Sequence, residues 1–331
     1  MFPTNILRSL AAAVAASSLL VPAAQAKELK IVATFSIIAD LAANVGGSNV
    51  KITSLVGPNG DAHVYEPKPA DTVAIAAADV VLVNGLQFEG FLDRLVKASG
   101  TKARVVTLSE GAKVMASADD EDHAHHGHDS HAKGATKDEH AHHHHGATDP
   151  HAWQSVPNAR VYVKNIADAL CRADAEGCPT YRANAASYDK KLADVDAQVR
   201  SAIAQIPANR RTLISSHDAF GYFAAEYGLK FLAPQGVSTE SEASASDVAK
   251  LIRQVKSTQA SAIFIENFGN PRLVQQIARE TGMKVGGALY SDSLSDKSGP
   301  ASTYIAMMQH NVATIRAAIL GARADTGRAT R

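Results

Sequence analysis

The sequence predicts an α/β protein of two lobes, each a four-stranded parallel sheet dressed with helices, joined by one long rigid helix. Three observations carry that expectation. Short β-branched runs alternate with amphipathic helical segments through both halves of the chain, a pattern that demands parallel pairing with right-handed crossovers. Between the halves, residues 179–206 keep Tyr181, Tyr188, Leu192, Val195, Val199, Ile203 and Ile206 at three-to-four spacing until Pro207 stops the helix. At 1.5 Å per residue such a helix reaches ~40 Å, enough to run the height of two stacked lobes. The remaining length, roughly three hundred residues, suits two domains.

Residues 1–26 read as a secretory leader. Arg8 supplies the early positive charge, residues 10–21 form a short apolar run, and Ala24-Gln25-Ala26 offers a cleavage site before Lys27. That run is too short to span a bilayer, so an exported mature protein is expected, in a bacterial periplasm. The first lobe, residues 27–178, opens with a strand at 29–34 and with Ser36 as N-cap of a helix over 37–44. A strand at 50–56 follows, then the turn Gly57-Pro58-Asn59-Gly60, a helix at 70–77, a strand at 79–83, a helix at 88–98 and a strand at 103–108. A helix over 158–169 leads to Cys171 and Cys178. These flank a turn-like segment, and in an exported chain they are expected to form a disulfide that pins a helix end. After the linker helix, residues 207–331 repeat the pattern, with strands at 211–216, 229–232, 261–266 and 283–289. Helices are expected at 219–227, 247–256, 271–280 and 303–320. Sequence identity between the halves is too low to claim duplication.

Lys and Arg number 33, as do Asp and Glu, which leaves no basic footprint for nucleic acid. The histidines are far from evenly spread. Residues 119–147 begin with an acidic run, and ten of the fourteen histidines lie inside them: His123, His125, His126, His128, His131, His140, His142, His143, His144 and His145. Neutral imidazole is the commonest ligand for zinc, copper and nickel, so this tract reads as an auxiliary, solvated metal-binding loop. A purification tag would sit at a terminus, and this tract is internal.

The other four histidines carry the sharper expectation. His63 follows the second strand of the first lobe, His151 the fourth, and His217 the first strand of the second lobe; Asp292 follows the last strand. Ligands of open α/β sheets bind beyond the carboxyl ends of the strands. Two lobes facing across a cleft would therefore bring three imidazoles and one carboxylate together, a set suited to tetrahedral zinc. Asp296 or a water is an alternative fourth ligand. Asp149, Glu66 and Asp218 are candidate partners orienting the imidazoles, with helix caps and surface charge as the plainer explanation. Trp153 reads as core, and His310, within the last helix, as structural.

Several ordered segments resemble one family. They are Val32-Ala33-Thr34-Phe35-Ser36, Gly60-Asp61-Ala62-His63-Val64-Tyr65-Glu66-Pro67, Asp149-Pro150-His151-Ala152-Trp153, Ser216-His217-Asp218-Ala219-Phe220-Gly221-Tyr222-Phe223, Ile265-Glu266-Asn267-Phe268 and Tyr290-Ser291-Asp292-Ser293-Leu294. Together they are similar to the zinc/manganese class of periplasmic solute-binding proteins of ABC importers (cluster A-I). The resemblance implies two lobes on a rigid helix, one buried metal in the cleft, and His63, His151, His217 and Asp292 as its ligands. Manganese-type members carry Glu where His217 stands, so the resemblance implies Zn²⁺ here, with the His-rich loop as a weaker acquisition site. It further implies an inner-membrane ABC permease as partner; a monomer is expected, a periplasmic zinc donor is a candidate second partner for the loop, and no enzyme activity is expected because four protein ligands would close the metal's shell to a catalytic water. The rival readings are a zinc buffer without a transporter, a manganese-binding homologue, and a zinc hydrolase with Glu66 as general base.

Overall fold

The first sheet is built from β1 (Leu29–Phe35), β2 (Val50–Val56), β3 (Val80–Val83) and β4 (Arg104–Thr107); the apolar runs of the central β1 and β3 are almost wholly buried, while the flanking β2 and β4 carry exposed residues. Their order is β2-β1-β3-β4, all parallel. The second sheet holds β5 (Thr212–Ile214), β6 (Lys230–Leu232), β7 (Ala262–Glu266) and β8 (Val285–Leu289), in the order β6-β5-β7-β8, again all parallel. Strand for strand the two orders are the same, a repeat of topology that the residues themselves do not display. The computed structural model describes residues 28–117, 148–258 and 260–321. The leader and the ten histidines of the tract lie outside them.

Helices α1 (Ser36–Gly46), α2 (Pro69–Ala76) and α3 (Leu92–Ser99) belong to the first sheet; α6 (Gly221–Tyr227), α7 (Ala245–Thr258) and α8 (Arg272–Thr281) belong to the second. Three longer helices bind the halves together: α4 (Val156–Ala173), α5 (Cys178–Ala204) and α9 (Tyr304–Leu320). The stripe read from the sequence is the face α5 buries, since Tyr181, Tyr188, Leu192, Val195, Val199 and Ile203 all sit inside. Cys171 and Cys178 are bonded and tie the last turn of α4 to the first of α5, with Cα atoms 4.4 Å apart.

Two local expectations are corrected. Ser36 is not the cap of α1. Phe35 occupies that position without a side-chain hydrogen bond, and the Ser36 hydroxyl accepts the backbone N–H of Leu294 across the cleft at 2.9 Å. The helix expected from residue 88 begins only at Leu92, because the buried Glu89 organises a turn ahead of it. Its carboxylate accepts the N–H groups of Asn84 and Gly85 and the hydroxyl of Thr34. Leu86 and Gln87 stand at φ +55° and +63°, a region side chains rarely adopt, and a helix cannot pass through them. The turn delivers Phe88 inward, where its ring meets those of Phe35 and Trp153 at centroid distances of 5.0 and 4.7 Å.

Trp153 is fully buried, and its indole N–H donates to the Ser291 carbonyl of the opposite lobe at 2.9 Å. Gln154 donates to the same carbonyl, while the Tyr304 hydroxyl donates to the Trp153 carbonyl. Trp153→Ala removes a core ring and an interlobe bond together. It is expected to cost about 3–5 kcal/mol and to lower the melting temperature by roughly 10 °C, read by thermal denaturation of the metal-free protein.

Candidate metal centre

Each of the four residues at the cleft is held by its own local device. The chain leaving β2 turns at residues 57–60, and the Asp61 carboxylate then accepts the His63 N–H at 2.9 Å. Asp149 does the same for His151 at 2.9 Å and also accepts from its ring Nδ1 at 2.8 Å. His217 lies just past β5; its N–H and that of Ser216 both donate to Glu266, the last residue of β7. Glu266 Oε2 is also 2.7 Å from the His217 Nδ1. Asp292 follows β8 and lies at the centre of the group, with Oδ2 3.3 Å from His63 Nε2 and 3.1 Å from His217 Nε2, and Oδ1 3.5 Å from His151 Nε2.

All four side chains are buried, and one ligand atom from each lies within 4.8 Å of the others. His63 and His151 come from the first lobe, His217 and Asp292 from the second. The fit to a cation rests on atoms with nothing else to do: His63 Nε2, His151 Nε2 and Asp292 Oδ1 are buried and have no hydrogen-bond partner. Groups of that kind are rare in native proteins and ask for a ligand. Spacing agrees as well. Ligand atoms at the corners of a tetrahedron drawn around zinc at 2.0–2.1 Å stand about 3.3 Å apart, close to the His63–Asp292 and His217–Asp292 separations.

Charge points the same way. With neutral imidazoles, Asp149, Glu266 and Asp292 would leave three negative charges buried in one place, which is costly unless cations offset them. The same carboxylates favour the protonated form of the rings they face. Burial alone would lower the His151 pKa, but Asp292 and then Asp149 outweigh it and raise the group to about 9. His217 is raised well above its ordinary value, Glu266 and Asp292 again overcoming burial. Burial pushes Asp292 up, and the His151 and His217 imidazoles more than reverse that, holding it well below the usual carboxylate range.

A sequence model described as ZnuA, zinc-uptake complex component A, periplasmic, matches residues 31–318. The chain belongs to the ZnuA family. Among its relatives is the manganese-binding lipoprotein MntA of Bacillus subtilis (strain 168), 33% identical over 299 residues, 88% of this chain and 90% of that protein. Another is the iron ABC transporter substrate-binding lipoprotein MtsA of Streptococcus pyogenes serotype M1, 30% identical over 305 residues, 90% and 91% of the two. The solved structure of the periplasmic zinc binding protein TroA from Treponema pallidum is 30% identical with a TM-score of 0.76, covering 88% of this chain and 99% of that one. The protein is thus a metal-binding solute-binding component of the ABC-importer type, of an extracytoplasmic family. The names of these relatives include manganese, iron and zinc, so membership in the family does not choose the cation.

The remaining candidates divide. Asp149 touches the His151 ring, as described. Glu66 is exposed, and among the described residues it makes no hydrogen bond or ion pair to His63. Asp218 is half-buried with its N–H on the Gly236 carbonyl, and the carboxylate on the His217 ring is Glu266 instead. Asp296 does not reach the cluster; its carboxylate accepts the Asn59 side-chain amide. His310 contacts the Ala288 carbonyl from within α9. Glu266 was the missed residue. It carries the same signal as the others, a titratable side chain at the carboxyl end of a strand. Phe88 was missed too. It packs edge-on against His63 at a centroid distance of 4.7 Å.

Proposed function

We propose that this protein captures Zn²⁺ outside the cytoplasmic membrane and delivers it to an inner-membrane ABC permease, with His63, His151, His217 and Asp292 as the four ligands. The observation that carries the reading is the buried, convergent set of three imidazoles and one carboxylate. Imidazole-rich sets favour zinc over the hard, oxygen-preferring Mn²⁺. In this reading Asp149 and Glu266 orient two of the rings, which raises their basicity and fixes the tautomer with Nε2 free for the cation. The leader is removed after Ala26, and residues 27–178, 179–206 and 207–331 serve as first lobe, linker helix and second lobe of a monomer. The His-rich tract of residues 119–147 binds further zinc more weakly and accepts it from a periplasmic donor.

One observation favours a second reading. Both Asp292 oxygens face the imidazoles, so a bidentate carboxylate could expand the shell for Fe²⁺ or Mn²⁺, the cations in the names of two relatives. Metal analysis of protein purified from its own compartment, joined to competition titrations with the three cations, separates the readings. Zinc at one tight equivalent is expected. Retention of manganese or iron in preference to zinc would refute it. Deleting residues 120–146 should leave that tight equivalent intact and remove only the weaker ones; loss of tight binding with the tract would overturn the assignment of the cluster.

Acidification should weaken binding from higher pH than free imidazole would suggest. Only deprotonated rings ligate, and the facing carboxylates raise His151 to about 9 and His217 well above its ordinary value, so protons compete with the cation at higher pH than they would at a free imidazole. With two protons displaced per cation, the apparent affinity falls by as much as roughly a hundredfold per pH unit between pH 8 and 6. Chelator competition at pH 8, 7 and 6 measures the slope, and a flat response down to pH 6.5 would refute it.

A further inference from the structure

The three imidazoles are not held equally. His151 and His217 each have a carboxylate on Nδ1, at 2.8 and 2.7 Å. Among the described residues His63 has none; beyond Asp292 its ring has only packing contacts, the Phe88 edge among them. Its position is therefore set through its backbone, and the group that fixes that backbone is Asp61. One Asp61 oxygen accepts the His63 N–H at 2.9 Å, and the other accepts the Thr239 hydroxyl at 2.7 Å. Thr239 belongs to the other lobe, in the irregular segment between β6 and α7. A single carboxylate thus ties the least-restrained ring to a segment that crosses the cleft.

Two cavities adjoin that segment. A small one of about 60 Å³ touches His63, Phe88 and Thr148 together with Val237, Ser238 and Glu240. A larger one of about 390 Å³ reaches His217 and Glu266 and is lined by Asp61, Gln235 and Thr239. Three other interlobe hydrogen bonds near the cluster, from Trp153 and Gln154 to Ser291 and from Tyr222 to the Asp149 carbonyl, are buried, and two residues before Asp61 the Asn59 N–H also crosses to the Leu294 carbonyl at 2.9 Å. The Asp61–Thr239 bond is only part-buried and stands beside both openings.

We infer that the Asp61–Thr239 hydrogen bond is a latch that holds His63 in place and sets the rate at which the cluster releases its cation. The inference rests on the metal-site reading above. Asp61 and Thr239 act as positioning residues: they touch no cation, and opening their contact frees the His63 segment to turn its ring toward the small cavity.

The test uses the full chain loaded with Zn²⁺ and follows release into excess chelator by stopped flow. Thr239→Val, which keeps the shape and removes the hydroxyl, is expected to speed release from the tight site by about tenfold or more, the scale of a hydrogen bond to a charged acceptor. The association rate should change far less, and the tight stoichiometry should stay as it was. Thr239→Ser restores the hydroxyl and should restore slow release, a rescue that a purely structural defect would not produce. Asp61→Asn combined with Thr239→Val should release no faster than Asp61→Asn alone. Release from Thr239→Val within twofold of the parent overturns the latch while leaving the metal site standing. A parent chain that retains no tight zinc overturns the site itself, and the latch with it.

Discussion

His217→Ala is expected to lower tight zinc affinity by well over a hundredfold while the protein stays folded. Even the outer partners of ligating imidazoles are worth about 10–100-fold in affinity, and this change removes a ligand atom outright. It also strands the Glu266 carboxylate, which would keep only its backbone and hydroxyl donors. Competition against a chelator of known affinity gives the loss, and circular dichroism reports the fold. The corresponding changes at His63 and His151 should act in the same direction, because each supplies one buried, otherwise unpartnered Nε2. A His217→Ala protein that binds one zinc as tightly as the parent would remove the cluster from consideration as the transport site.

The second large effect is expected at a residue that need not touch the cation at all. Glu266→Ala takes away the acceptor for the Ser216 and His217 N–H groups, for the Ser291 hydroxyl and for the His217 ring. Leaving buried partners of a charged group unpaired costs about 3–5 kcal/mol, which for a chain of this size lowers the melting temperature by roughly 10 °C. Zinc affinity should fall as well, by about 10–100-fold, because the ring loses its orientation and part of its basicity. Glu66→Ala provides the contrast. Glu66 is exposed, and its removal should change neither quantity measurably. Equal effects from the two substitutions, in thermal denaturation and in zinc competition, would show that burial of the carboxylate is not what matters.

His63, His151, His217 and Asp292 each follow a strand, so one rule of α/β sheets makes all four legible in the sequence, whereas nothing local ties Glu266 to His217. Of the sequence-adjacent candidates, Glu66 is exposed, and the carboxylate 2.7 Å from the His217 Nδ1 is that of Glu266. The carboxylate that serves His217 stands 49 residues further along the chain and reaches it because β5 and β7 are adjacent in the sheet. Asp149 was legible for the opposite reason, since a two-residue separation in a tight turn lets one side chain meet both the backbone and the ring of His151. The turn before α3 was illegible on different grounds. Gly90 weakens the helix there locally, but the decisive group is Glu89, buried among donors from Thr34, Asn84 and Gly85 that no short stretch of sequence reveals.

From the residues alone came the alternation of strands and helices, the buried stripe of the linker helix, the cysteine pair and the four ligand candidates, because each is written in local periodicity or in position relative to a strand end. The tertiary structure decided the rest: that both sheets share one strand order, that Ser36 and Trp153 spend their hydrogen bonds across the cleft, and that Glu266 and Asp61 hold the two ends of the cluster. Those features depend on which strands become neighbours and on how two lobes meet. Pairing of that kind is set by the burial of whole surfaces, and no short stretch of the chain carries it.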